Sequence, residues 1–188
     1  MTTNKKQGNM STQKLLTKSG IKLDINSEKI DYNSGIDFIV EKLDQNCGMY
    51  LSSGIEYPGR YSRWELGFLN PPLEFIAIEN IVYINALSQR GDELLKIFTP
   101  ILAKHAHLNL DLNNLKNSNL KSSLKINIKS SNKIFTEEKR SLQPSAVSVL
   151  RCLLNEFEPA FKKACESSFS DIGSVPFGFY GAFGYELL

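Results

Sequence analysis

Two short β-favouring runs, separated by only two residues, constrain the fold of this chain more than any other feature. Leu73–Ile78 and Ile81–Ala86 are rich in apolar and β-branched residues, and Glu79-Asn80 stands between them. Two such runs with a two-residue connection predict a β-hairpin. Asn80 tolerates the positive φ that the turn requires, whereas Glu79 is less suited to it. We therefore expect an antiparallel sheet built around this hairpin.

Three segments carry apolar residues at helical spacing and predict three helices. The first opens at Asn33-Ser34, with Ser34 as N-cap and Asp37 at the position of a capping-box acid. The second follows residues 90–92, and the third opens at residues 143–145. The expected buried stripes are, in chain order, Ile36, Ile39, Val40 and Leu43; Leu94, Leu95, Phe98, Ile101 and Leu102; and Val147, Leu150, Leu154, Phe157 and Phe161.

Further strand signals lie on either side of these helices. Residues 49–53 and the aromatic-rich run 61–68 favour strands, and the second run is broken by Asn70-Pro71-Pro72. Residues 175–188 alternate aromatics with glycines, as in a strand that bends. The predicted fold class is α+β, with antiparallel β-sheets and helices packed outside them.

Composition divides the chain into two parts. Residues 1–33 are polar, rich in Lys, Asn, Thr and Ser, and we expect the first dozen to be disordered. Residues 34–188 form the predicted domain, with a flexible linker at about 109–133 that is rich in Asn, Lys, Ser and Leu. Within this linker, the alternation of Leu124, Ile126 and Ile128 favours a strand.

Charge and composition exclude several classes of protein. A net charge of +2 and no nucleic-acid motif argue against a DNA or RNA partner. No run approaches the roughly 20 apolar residues of a membrane span, and the polar start is no signal peptide. Three widely spaced cysteines fit a reducing cytosol, so we expect a cytoplasmic protein. His105 and His107 are spaced like a same-face strand pair, but no third ligand is at suitable spacing, and we expect no metal site.

Four segments, in order along the chain, resemble one enzyme family. Residues 57–64 (YPGRYSRW) with 70–73 (NPPL) resemble the front of anthranilate synthase component I, most closely the subgroup fused to its glutamine amidotransferase. The segments 86–91 (ALSQRG), 137–151 (EEKRSLQPSAVSVLR) and 179–187 (FYGAFGYEL) are similar to later parts of that family. The resemblance covers about residues 35–188. Aminodeoxychorismate and isochorismate synthases share the broad fold, but the segment with Trp64 and the segment 137–151 favour anthranilate synthase.

The resemblance implies a fold, an activity and a set of partners. It implies the N-terminal part of the chorismate-utilising enzyme fold, truncated before the catalytic half. The family's enzyme is a carbon–oxygen lyase of tryptophan biosynthesis that converts chorismate and glutamine to anthranilate, pyruvate and glutamate. It requires Mg²⁺, and its first domain binds L-tryptophan as an allosteric feedback inhibitor. The catalytic chorismate-binding domain and the glutamine amidotransferase, fused or separate, would be partners of this chain.

Because the family's catalytic and magnesium-binding residues fall outside residues 1–188, the resemblance implies no catalytic residue, no metal ligand and no cofactor in this chain. We expect the chain to be inactive without the catalytic half. Two alternatives remain: a stand-alone amino-acid-binding module that pairs with a separate catalytic chain, or a nonfunctional truncated product.

Four residues are candidates for contact with the effector. In the resembling family, a serine after the first strand, preceded by leucine and an acid, contacts tryptophan, and Ser53 occupies that place. Ser52 stands where the acid is usual. Arg60 offers a charge-assisted donor for a carboxylate, and Tyr61 offers a pocket wall. The alternatives are a strand-end serine, an ion pair of Arg60 with Glu56 or Glu65, and a core tyrosine.

Overall fold

The computed structural model describes residues 11–53, 65–111, 122–129, 143–166 and 178–184. These residues form eight strands and three helices. In chain order they are β1 (Ser11–Leu16), β2 (Lys22–Ser27), α1 (Tyr32–Leu43), β3 (Gly48–Ser52), β4 (Glu65–Leu69), β5 (Leu73–Ile78), β6 (Ile81–Ala86), α2 (Gln89–Ala103), β7 (Leu108–Asp111), β8 (Ser123–Ile128) and α3 (Ala146–Glu166). Every strand pair among these residues is antiparallel, and the mixture of antiparallel sheets and helices is compatible with the predicted α+β class.

The chain divides into two compact units, of which the larger is residues 30–153. Its main sheet has four strands in the order β5-β6-β8-β7. The register sets Val82 opposite Ile126 and Ile84 opposite Leu124, and all four side chains are buried. Helix α2 contacts β6, β7 and β8, and its buried side chains are Leu95, Phe98 and Leu102. The core of this unit therefore lies between α2 and one face of the sheet.

The central hairpin forms at the predicted bounds, but its turn differs from the prediction. Positive φ angles among non-glycine described residues occur at Asn70 and Glu79, and Glu79 has a φ of 53°. The left-handed conformation thus falls on the residue less suited to it, rather than on Asn80. The paired strands impose this, because Ile78 and Ile81 lie directly opposite each other in the register.

Helix α2 starts where the chain passes very close to the residue before β5. Ser88 is its N-cap and accepts a hydrogen bond from Gly91 N at 3.2 Å. A Cβ at Gly91 would lie 2.1 Å from the carbonyl oxygen of Pro72. Only glycine fits this close approach. The predicted stripe is confirmed at Leu95, Phe98 and Leu102, while Leu94 and Ile101 are half-buried.

Helix α1 packs against the two-stranded sheet of β3 and β4. Its N-cap is Asp31, not Ser34 as predicted, because Asp31 has extended backbone and its carboxylate accepts from Ser34 N at 3.1 Å. That N–H first, and then the Ser34 hydroxyl, lower the pKa of Asp31. On the predicted apolar face, Val40 is 49% exposed, so that part of the prediction was wrong.

Two strands come from the segment 109–133 that the sequence assigned to a linker. The alternating residues Leu124, Ile126 and Ile128 are all buried in β8, which lies between β6 and β7. Strand β7 was not predicted, because it is only four residues long and half of its residues are polar. Residues 112–121 and 130–142 lie outside the described residues.

Helix α3 buries a different stripe from the predicted one. Its buried residues are Ala146, Val149, Leu153, Glu156 and Ala160. The prediction placed the largest apolar side chains inward, but Leu154 is 39% exposed and Phe157 stacks on Phe161 with ring centroids 5.8 Å apart. The buried stripe includes the small residues Ala146 and Ala160, so the prediction from side-chain size chose the stripe displaced by one residue along the helix.

The second compact unit consists of residues 1–29 with 154–188. Strands β1 and β2 form a hairpin here, inside the segment 1–33 that the sequence described only as polar. Leu15 of the hairpin and Ala160 of α3 are buried together, and Leu23 and Ile25 pack against them. A single carboxylate oxygen of Glu156 accepts hydrogen bonds from Thr17 Oγ1 at 2.6 Å, from Ser19 N at 2.7 Å and from the Ser19 hydroxyl.

The glycine-rich segment near the end of the sequence does not form the predicted strand in its described part. Residues 178–184 have no regular secondary structure. Phe183 is 65% exposed. A strand requires a partner for its backbone hydrogen bonds, and no described strand pairs with this segment.

Candidate functional site

The candidate effector residues that the structure describes lie at the end of the β3–β4 sheet. Ser52 is the last residue of β3, and Glu65 is the first residue of β4. The register places these two residues directly opposite each other. The Ser52 hydroxyl donates a hydrogen bond to Glu65 Oε1 at 3.2 Å. A hydroxyl and a carboxylate are therefore held together on two neighbouring strands.

Ser53 follows β3 directly and lies outside the regular strand. Its side chain is half-buried, whereas Ser52 is exposed. Ser53 is thus at the point where the chain leaves the sheet. Its proposed contact with an effector stays a prediction.

Arg60 and Tyr61 lie outside the described residues, as do Glu56 and Trp64. Of the candidate residues, the structure therefore brings Ser52 together with Glu65, and the predicted roles of Ser53, Arg60 and Tyr61 remain predictions.

Glu65 is a candidate site residue that sequence reasoning missed. The sequence suggested Glu65 only as a possible ion-pair partner of Arg60. Its half-buried side chain faces Ser52 across the strand pair. The two predicted strands, residues 49–53 and 61–68, could have been expected to pair with each other. Without a tight turn between them, however, the hydrophobic pattern does not determine which residues stand opposite each other.

The histidine pair does not lie in a strand as the spacing predicted. His105 and His107 are in the turn between α2 and β7, with ring centroids 5.8 Å apart and ring planes at 61°. His107 Nε2 is shielded from solvent and has no hydrogen-bond partner. Among the described residues, no group of three or more His, Cys, Asp or Glu side chains is arranged to hold a metal ion. Two imidazoles without further ligands do not complete a tetrahedral site.

The cysteines for which the structure describes side chains are Cys47, which is exposed, and Cys152, which is half-buried. Burial raises the pKa of the Cys152 thiol, and the charge of Arg151 opposes that effect. Because the thiolate is the nucleophile, a raised pKa argues against Cys152 as a reactive group.

Across the residues with described placement, no helix is both long enough and apolar enough to span a bilayer.

Comparison with known proteins gives one informative similarity. The chain is 31% identical over 171 residues to an anthranilate synthase from Azospirillum brasilense, and the alignment covers 91% of this chain. It covers 21% of that protein, so the chain spans about a fifth of the relative's length. No protein-family model matches the chain, and no solved structure matches it.

The class defined by the fold is a mixed α/β protein with antiparallel sheets, in which the Ser52 hydroxyl and the Glu65 carboxylate lie opposite each other at the end of two paired strands. The sequence similarity supports the anthranilate synthase family for this protein.

Proposed function

We propose that this chain is the N-terminal, tryptophan-sensing part of an anthranilate synthase, the enzyme of tryptophan biosynthesis that forms anthranilate from chorismate and glutamine. The observation that carries the proposal is the similarity to the Azospirillum brasilense enzyme along 91% of the chain. The fused-subgroup resemblance at residues 57–64 and the position of Ser53 directly after β3 support the sensing role.

Recognition of a free amino acid requires three kinds of group. The indole needs an apolar slot, the carboxylate needs hydrogen-bond donors, and the ammonium needs acceptors. Ser53 supplies a hydroxyl donor where the chain leaves β3. Arg60 would add a charge-assisted donor for the carboxylate, and Tyr61 would add an aromatic wall. These residue types fit tryptophan better than they fit a sugar or a nucleotide, which would require a different set of donors.

Feedback follows from linkage between this part and the catalytic part of the complete enzyme. An effector that binds one arrangement of the two parts more tightly than the other shifts the population toward that arrangement. The catalytic part would supply the groups that bind chorismate and Mg²⁺. The role of this chain in the cycle is therefore to bind tryptophan and report its concentration.

Calorimetric titration with L-tryptophan tests the sensing role. We expect the 188-residue chain to bind tryptophan, and Ser53→Ala to bind about tenfold more weakly, because a hydrogen bond to a charged group contributes about 1.5–3 kcal/mol. Ser122→Ala changes an exposed serine before β8 and serves as the control. Absence of heat from the wild-type chain at millimolar tryptophan would contradict the proposal.

A second measurement addresses catalysis. We expect no anthranilate fluorescence from the chain with chorismate, ammonia and Mg²⁺, because the proposed role includes no chorismate-binding group. Sustained formation of anthranilate above the rate without protein would show that the chain carries an active site of its own.

A further inference from the structure

We infer that two copies of this chain associate through strand β5, which pairs with the same strand of the second copy and joins two four-stranded sheets into one. Strand β5 is at one edge of the sheet β5-β6-β8-β7, and among the described strands only β6 pairs with it. Such an edge presents a row of backbone donors and acceptors that can pair with another strand. The inference concerns self-association and is independent of the proposed tryptophan sensing.

The two edges of this sheet differ in their protection against pairing with another strand. Natural proteins protect an edge by making it short, by placing charged residues or proline on it, or by interrupting it with a bulge. Strand β7, at one edge, has four residues, of which two are polar. Strand β5 has six residues in an unbroken register with β6, and Glu74 is its single polar residue. The β5 edge is therefore the one suited to an interface.

The hydrogen-bond ladder shows which backbone groups of β5 face the open edge. Leu87 N donates to Pro72 O at 2.8 Å, and opposed residues of an antiparallel pair alternate between bonded and non-bonded pairs. The even-numbered residues of β5 therefore bond to β6, whereas the backbone groups of Leu73 and Ala77 are directed toward the edge. A second strand can pair there while β5 keeps its hydrogen bonds to β6.

The exposed side chains of β5 are apolar. Ile76 is 37% exposed and Ile78 is 58% exposed. The register sets them opposite Tyr83 and Ile81, so all four residues belong to the sheet face that α2 does not cover. Pairing of β5 with β5 of a second copy brings two such patches side by side, and burial of their apolar surface stabilises the association by about 25 cal/mol per Å².

Strand β5 is complementary to itself in an antiparallel pairing. A two-fold axis at Ile76 sets this residue opposite Ile76 of the second copy as a non-bonded pair, in which the side chains approach most closely. Glu74 then lies opposite Ile78 of the second copy, so no two like charges are directly opposed. Helix α2 contacts β6, β7 and β8, so the helical layer is centred away from β5. Because one two-fold pairing uses the β5 edge of both copies, the assembly closes as a dimer.

Sedimentation equilibrium of the 188-residue chain tests the association. We expect a reversible monomer–dimer equilibrium at submillimolar concentration. Ile76→Lys should raise the dissociation constant of the dimer about tenfold or more, because it sets two like charges directly opposite each other. Val40→Lys is the matched control, since Val40 is an apolar residue of α1 that is 49% exposed, and this variant should dimerise like the wild type. A wild-type chain that stays monomeric, or equal losses in the two variants, overturns the inference.

Cysteine cross-linking tests the position of the axis. In Ile76→Cys, the two thiols of a dimer lie on directly opposed residues, whose Cβ atoms are about 4.5–5.5 Å apart, so a small adjustment permits a disulfide. Oxidised glutathione should accept the two electrons and convert this variant to a covalent dimer. Ile78→Cys is more exposed but lies off the axis, and it should cross-link no more than the wild type, which carries the exposed Cys47.

Equal cross-linking of Ile76→Cys and Ile78→Cys, or none in Ile76→Cys, would rule out the pairing about Ile76. Assemblies larger than a dimer would show open-ended association in place of the closed two-fold pair, and would also overturn the inference.

Discussion

At the scale of single residues, Glu79 is in a backbone conformation that its side chain disfavours. Its φ of 53° belongs to the left-handed region, which costs a residue with a Cβ about 1–2 kcal/mol. The tight connection between β5 and β6 forces this geometry, so the paired strands must compensate for it.

Glu79→Gly should raise the free energy of unfolding by about 0.5–1 kcal/mol, because glycine adopts positive φ without a steric penalty. Urea denaturation followed by circular dichroism measures the change. Asn80→Gly is the control, since Asn80 does not have positive φ, and this variant should gain nothing. A loss of stability in Glu79→Gly would show that the turn is held by the glutamate side chain instead.

The buried stripe of α3 gives a second test with neighbouring leucines. Leu153 is 0% exposed and Leu154 is 39% exposed. Leu153→Ala should lower the free energy of unfolding by about 2–5 kcal/mol, as for other buried leucines, whereas Leu154→Ala should cost under about 1 kcal/mol. The reverse order of the two losses would support the stripe predicted from the sequence.

Residue patterns predicted the buried residues of β8 correctly but not those of α3. Leu124, Ile126 and Ile128 were found because strand alternation places them on one face whatever the loops do. The α3 stripe was missed because two adjacent helical stripes differ by one residue, and side-chain size does not decide between them. The pairing of Ser52 with Glu65 depends on a register that spans a long connection, so no local pattern could reveal it.

At the scale of elements, the β1–β2 hairpin is attached to α3 by a buried carboxylate. Glu156 is 6% exposed, and Lys18 N also donates to its backbone oxygen at 2.9 Å. The side chain and the backbone carbonyl of Glu156 thus both bind the loop that connects β1 and β2.

Because a two-stranded hairpin is marginal by itself, Glu156→Ala should release it. We expect hydrogen exchange of the amides in residues 11–27 to rise at least tenfold, which corresponds to about 1.4 kcal/mol, while the β5-β6-β8-β7 sheet keeps its protection. Glu158→Ala is the control, as Glu158 is exposed and bonds Lys162 on the same helix. Unchanged exchange in Glu156→Ala would show that the small apolar cluster of Leu15 and Ala160 is sufficient.

The β1–β2 hairpin shows that a polar composition does not exclude regular structure. Residues 11–27 are mostly polar because one face of the two strands is exposed, and only Leu15 and Thr17 are buried. The hairpin owes its order to α3, more than a hundred residues later in the chain, through bonds such as Thr17 to Glu156. Sequence-based reasoning treats such a segment as a tail, because the element that orders it is remote.

At the scale of the whole molecule, short sequence patterns were sufficient to predict the fold class, but the arrangement of strands in sheets depends on pairing between distant segments. The β5–β6 hairpin and the three helices followed from spacing within short windows. The three separate sheets, and the division into residues 30–153 and residues 1–29 with 154–188, depend on contacts between distant segments. The resemblance to anthranilate synthase carried more functional information than any single pattern, because the four segments that match it occur in the family's order.

The strand order β5-β6-β8-β7 has a consequence for the order of assembly during synthesis. Strand β8 lies between β6 and β7, so on the ribosome the β5–β6 hairpin must keep an open edge until residue 128 has emerged. Unpaired edges recruit foreign strands. A nascent chain that ends between residues 86 and 123 therefore exposes the unpaired edge of β6 to strands of other chains.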